Sequence, residues 1–141
     1  MTRAKQRAIA LLLVGVVPAL LGLAACSDEG GSPEELCEAL ADRDFATVFT
    51  GFDPADPVTA LDQLRTARVN LSDLHEAAPA EQRTDLQLEI AYVQALIDAI
   101  EPLGDAADVA VVAAALQQVT TEHPDVDEAA VRLAAFQQSS C

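Results

Sequence analysis

Residues 80–101 leave a folding chain very little freedom. Leu86, Ile90, Val93, Ile97 and Ile100 follow one another at steps of four, three, four and three, which places them on one line down the side of an α-helix. Leu88, Tyr92, Leu96, Ala99 and Leu103 cover much of the opposite side, and only Gln87, Gln94, Asp98 and Glu101 form a narrow polar stripe. A helix apolar nearly all the way round is a buried helix, so this segment predicts the centre of a domain whose other elements wrap around it. Pro102 and Gly104 end it, because proline cannot continue a helix and glycine readily closes one.

Prolines punctuate the rest of the chain into further helices. Ser32-Pro33-Glu34-Glu35 is a capping box with proline at the first helical position. It predicts a first helix with Leu36, Cys37, Leu40, Ala41, Phe45, Val48 and Phe49 on its apolar side, ending near Gly51. Asp56-Pro57 repeats the cap-and-proline signal for a second helix, with Leu61, Leu64, Leu71, Leu74 and Ala78 inward. Pro79 ends that helix and starts the central one within a very short turn, so the two are expected to pack antiparallel. A fourth helix is predicted over 105–121, with Val109, Val112, Leu116 and Val119 inward. Its valines are compatible with a strand, but the alanines around them favour helix. His123-Pro124 breaks it, Asp125 with Glu128 gives a second capping-box pattern, and a fifth helix carries Val126, Ala130, Leu133 and Phe136 inward to Cys141. The fold class is therefore all-α: a single bundle of about five helices with the third at its centre.

The N-terminal stretch has a different character. Arg3, Lys5 and Arg7 come first with no acid among them, then an apolar run over 8–22, then Leu23-Ala24-Ala25-Cys26. A basic start, a short apolar core and a small-residue end are the parts of a secretory signal. The run is short for a membrane span, which takes about 20 apolar residues, and Pro18 interrupts it. Leu23-Ala24-Ala25-Cys26 resembles the lipobox of bacterial lipoproteins. The resemblance covers residues 1–26 and implies that the Cys26 thiol receives a diacylglyceryl group before the signal is cut ahead of it. On this reading residues 1–25 are a lipoprotein signal peptide, 26–32 a lipidated cysteine and a polar tether, and 33–141 the helical domain. The mature protein would be held on the extracytoplasmic face of the cell membrane by acyl chains. Two chains on one glycerol make such attachment stable where a single chain binds only marginally.

Removing residues 1–25 leaves 116 of the 141 residues; only five basic residues remain, all arginine, against all 23 acids, a formal charge of −18. Such a surface argues against a nucleic-acid partner, which needs a basic footprint. It is also repelled by anionic headgroups, so the domain is expected to stand off the bilayer. The absence of Trp and the single Tyr leave no aromatic platform of the kind that sugar-binding surfaces use.

Once Cys26 is taken by lipid, Cys37 and Cys141 form an even pair in an oxidising compartment. A disulfide between them would tie the first helix to the last and hold a chain end that otherwise frays. The alanine-rich, lysine-poor domain resembles the short helical lipoproteins of high-GC Gram-positive bacteria. Many of these pair a Leu-Cys near the first helix, here Leu36-Cys37, with a C-terminal cysteine. Most such families have no assigned activity, and the resemblance supplies no catalytic residue.

Three places invite a chemical reading. His75-Glu76 with Glu81 and Asp85 gathers possible metal ligands, but no two histidines share a zinc spacing, so an exposed histidine near a helix end is expected. Residues 122–128 are rich in acids yet lack the glycine and spacing of an EF-hand loop, so a helix start with solvated acids is expected. Glu89 falls on the wheel among Val93, Leu96 and Ile100, away from the polar stripe. It reads either as a buried carboxylate of raised pKa, as general acids often are, or as a partner of Arg65 or Arg68, or as an edge residue reaching water. No glycine-flanked nucleophile or phosphate-cradling loop is present. No catalytic residue, metal or cofactor is therefore assigned. The expected function is a non-catalytic binding or interaction module whose partners are membrane lipid, through Cys26, and another envelope protein. A small ligand-binding component serving a transporter is the alternative, and a hydrolase using Glu89 the least favoured.

Overall fold

The computed structural model describes residues 30–42, 53 and 55–141. Among these residues there are five α-helices, α1 (Pro33–Asp42), α2 (Pro57–Ala77), α3 (Ala80–Ile100), α4 (Val109–Glu122) and α5 (Val126–Ser140), and a 3₁₀ turn over Glu101–Leu103 follows α3. Among the described residues there is no strand. The expected lipobox with Cys26, and Phe45, Val48, Phe49 and Gly51 of the expected first helix, lie outside the described residues.

Local chemistry accounts for where the helices start. At α1 the Ser32 hydroxyl accepts the Glu35 N–H at 3.1 Å while the Glu35 carboxylate accepts the Ser32 N–H at 2.8 Å. Two otherwise orphaned donors are thereby satisfied reciprocally. At α2 the Asp56 carboxylate accepts from the Thr59 hydroxyl at 2.6 Å and from its N–H at 3.1 Å. Those two bonds, the hydroxyl first, hold the Asp56 carboxyl below its ordinary pKa.

Two starts differ from the sequence expectation. Gly104 takes φ = +73°, a left-handed conformation that favours glycine. The turn it opens is closed by the Ala107 N–H bonding to the Gly104 carbonyl. A helix cannot begin inside that turn, so α4 starts at Val109 rather than 105, with Asp108 capping the Ala110 N–H at 2.8 Å. Val109 is consequently 48% exposed rather than inward. At α5 the second capping box does not form. The Asp125 side chain makes no cap bond, and Glu128 instead lies 3.6 Å from Arg132, one turn further on. Ala129 is fully buried there and Ala130 only half-buried, and in α1 Ala41 is exposed rather than inward.

α3 is the central element: it packs against α2, α4 and α5, while α1 packs on α2 and α5. Leu86, Val93, Ile97, Ile100 and Leu96 are buried, and Ile90, Tyr92, Ala99 and Leu103 pack at the edge of the same core. Arg65 meets Glu101 and Arg68 meets Gln94, so positions rise along α2 as they fall along α3. That is the antiparallel pairing the short Pro79 turn predicts. On the other side Thr120 and His123 meet Tyr92, and Arg132 meets Asp85. α4 and α5 therefore run end to end as one broken column antiparallel to α3.

Cys37 and Cys141 are joined in a disulfide, with their Cα atoms 5.4 Å apart across a sequence separation of 104. The bridge ties α1 to the end of α5, where the two helices also pack. A closed loop of that length stabilises by up to about 4.7 kcal/mol through loss of unfolded-state entropy.

Two outcomes follow. Ile97→Ala, at a 5%-exposed core site, is expected to lower the unfolding free energy by about 2–5 kcal/mol, whereas Gln87→Ala at an exposed site changes it by under about 0.5 kcal/mol. Urea titration of both variants checks the difference. Cys141→Ser is expected to cost about 2–4 kcal/mol, below the loop-entropy ceiling, and thiol counting on the unfolded protein should find no free thiol at Cys37 or Cys141 before reduction.

Candidate functional site

The side of α3 that faces α5 carries two buried carboxylates. Asp85 and Glu89 are four residues apart, so they stand one above the other on the same helix face. Asp85 is 8% exposed and Glu89 3%. Apolar helix faces rarely carry a single buried acid, so each requires an account.

Asp85 has one. The Arg132 guanidinium donates to it from Nε at 3.0 Å to both carboxylate oxygens and from Nη2 at 2.7 Å. This fork-to-carboxylate geometry is the strong form of an ion pair. It raises the Arg132 pKa, chiefly through the hydrogen bond to Asp85. The Arg132 side chain is half exposed while that of Asp85 is 12% exposed, so the arginine brings a hydrated charge to the rim of a buried anion. The pair was not legible as a pair in the sequence, where Asp85 reads as a neighbour of His75, Glu76 and Glu81. A signal existed: Arg132 is the sole basic residue after Arg83, and a lone cation among acids is bound to find one.

Glu89 has no such partner. Its Oε1 is buried and makes no hydrogen bond. The expected pairing with Arg65 or Arg68 is incorrect, because both arginines serve the opposite side of α3. Arg65 binds Glu101 at 2.6 Å and Asp62 at 3.4 Å, and Arg68 donates to Gln94 at 2.6 Å. The alternative of an edge position reaching water is also overturned by the 3% exposure. Burial, then the negative charges of Asp127 on α5 and Asp85 on α3, push the Glu89 pKa up to about 7.

A groove of about 450 Å³ runs between α2 and α3, lined by Arg68, Ser72, Gln87, Ile90, Ala91 and Gln94 among others. Glu89 is not among its lining residues, so the groove does not open onto the buried acid. Tyr92 lies on a third side, its hydroxyl 3.1 Å from the Thr120 hydroxyl and its ring edge-on to His123 at 5.8 Å between centroids. Among the described residues, no group of three or more His, Cys, Asp or Glu side chains is placed to hold a metal ion, and no helix is long and apolar enough to cross a membrane. Comparison with protein-family models, with curated proteins and with solved structures gives no match to this chain.

What the arrangement does chemically is store a proton in the core. A carboxyl whose pKa is higher folded than unfolded binds more protons in the native state between the two values. Stability therefore falls as pH rises through that window. For Glu89 the window runs from about 4.5, the ordinary glutamate value, to about 7. Below the window the buried acid is neutral and carries no charge penalty, and above it the full penalty, on the order of 3 kcal/mol, is present. Glu89→Gln is accordingly expected to be more stable than the parent at pH 8 and to differ little from it at pH 4.5. Denaturation of both proteins across pH 4.5–8 checks this, and parallel curves would show that Glu89 does not titrate in the window.

Proposed function

We propose that this chain is a lipid-anchored extracytoplasmic lipoprotein whose helical bundle is a non-catalytic binding or interaction module of the cell envelope. The observation that carries the reading is the agreement between two independent cysteine features. Leu23-Ala24-Ala25-Cys26 ends an export signal, and the two remaining cysteines form the Cys37–Cys141 bridge. Disulfides persist in oxidising compartments outside the cytoplasm, so the bridge supports the same location as the signal. The acidic charge that remains after residue 25 supports a protein partner over nucleic acid.

A second reading, a small ligand-binding component serving a transporter, draws on the groove between α2 and α3, whose volume of about 450 Å³ is within the range of small-molecule sites. The groove is an open trough along the helix pair, and its one arginine already donates to Gln94. It lends this reading less support than the cysteine pattern lends the first.

Cys26→Ser tests the anchor. The parent protein is expected in the membrane fraction, with an acylated Cys26 at its N-terminus. The variant is expected either in the soluble exported fraction or as uncut precursor. Normal processing with unchanged membrane attachment in the variant would overturn the proposal.

A further inference from the structure

We propose that the bundle stands on the bilayer by one particular end, the one where α2 turns into α3, so that the Gly104 end points away from the membrane. This rests on the lipid-anchor reading and adds to it an orientation and a lipid-facing surface.

A Cβ at Gly31 would overlap the carbonyl oxygen and carbonyl carbon of Ala77. Only a residue without a side chain lets the two backbones approach so closely. Gly30 is likewise seated beside the Arg83 guanidinium, 3.5 Å from where its Cβ would be, and Arg83 in turn donates to the Ala78 carbonyl at 3.0 Å. The chain is therefore held against the corner between α2 and α3 from residue 30 onward. Gly30 lies four residue steps beyond Cys26, and at about 3.6 Å per step that is a reach of at most about 14 Å.

Every other marker of that corner agrees. α1 begins there with its capping box, and the Cys37–Cys141 bridge brings the C-terminus to within a turn of the same place. The far end, with the start of α2 and the turn between α3 and α4, is the length of α3 away. Twenty-one residues at 1.5 Å each span about 31 Å, more than twice the reach of the tether. An anchor at Cys26 can therefore bring the α2–α3 corner to the headgroups but not the Gly104 end, unless the bundle lies flat.

Charge opposes lying flat. The corner carries Glu34, Glu35, Glu76 and Glu81, with Arg83 beside them. The remainder of the surface is also acidic, and anionic lipid repels all of it. The least repulsive arrangement keeps the smallest face, an end of the bundle, nearest the membrane. The surface facing lipid is thus an acidic helical corner hovering within about 14 Å of the headgroups.

Energy transfer tests this cleanly, because the chain has no tryptophan and a single introduced indole reports its own height. The lipidated protein is placed in phosphatidylcholine–phosphatidylglycerol vesicles containing a headgroup-dansylated lipid. Glu76→Trp is compared with Asp105→Trp, both at exposed sites. Glu81→Trp with Val58→Trp, again exposed, serves as a second pair should either variant of the first misfold by circular dichroism. Transfer is expected to be at least several-fold more efficient from the Glu76 and Glu81 sites than from the Asp105 and Val58 sites. Equal transfer from both ends of a protein that floats with the vesicles overturns the orientation and leaves the anchor standing. Failure of the parent protein to float, as the Cys26→Ser control should fail, overturns the anchor and the orientation together.

Discussion

The bundle is organised by the need to cover α3 on more than one side. α2 supplies one wall, with Leu64, Leu71 and Leu74 fully buried, each worth about 1.5–3 kcal/mol of transfer free energy. The opposite wall is not one helix but two, α4 and α5, of 14 and 15 residues. The break between them at His123-Pro124 lets the column change direction and still follow α3. Tyr92 seals the break from the α3 side by touching both Thr120 and His123. Its hydroxyl finds a partner while its ring stays in the core, the usual compromise for a half-buried tyrosine.

Covering α3 with α5 has a cost that the wall with α2 does not carry. The α5 side of α3 presents two acids instead of leucines, and only one of them is neutralised by a cation. Arg132 satisfies Asp85 in the strongest available geometry while Glu89, one turn along, keeps a buried oxygen without a partner. The two sites are coupled, because the Asp85 charge that attracts Arg132 also raises the pKa of Glu89. In a chain of 23 acids and so few cations, a single arginine cannot serve both. The second acid lowers its burden by holding a proton.

How much of this was legible in sequence depended on whether the signal was local. The capping box at Ser32 and Glu35, the cap at Asp56, the turn at Pro79 and the seam from Leu86 to Ile100 each lie within a few residues of one another, and all have the expected form. Val109 and Asp125 depart from the periodic pattern because a positive-φ turn at Gly104 and a competing ion pair to Arg132 alter the first turns of α4 and α5, and neither effect is visible in a periodicity. The wheel leaves burial, pairing with Arg65 or Arg68 and an edge position all open for Glu89, since which helix covers which side of α3 is decided by tertiary packing. Cys37 and Cys141 are the exception among distant pairs, because the lipobox reading of Cys26 leaves two cysteines to match.

Among the described residues, the ties that hold the bundle are of different kinds at its two ends. At the end where α2 turns into α3, Gly31 packs on the Ala77 backbone, Ser32 and Glu35 cap α1, and the disulfide fixes the chain terminus to α1. At the other end the turn from α3 to α4 is closed by the Gly104 geometry and by a half-exposed ion pair, Arg65 with Glu101. An exposed pair of that kind contributes on the order of 0–1 kcal/mol, against several for a bridge across 104 residues. Among the described residues the covalent tie therefore lies at the α2–α3 end, while the Gly104 end is held by packing, with Ala60, Leu64, Ile100 and Val112 all buried.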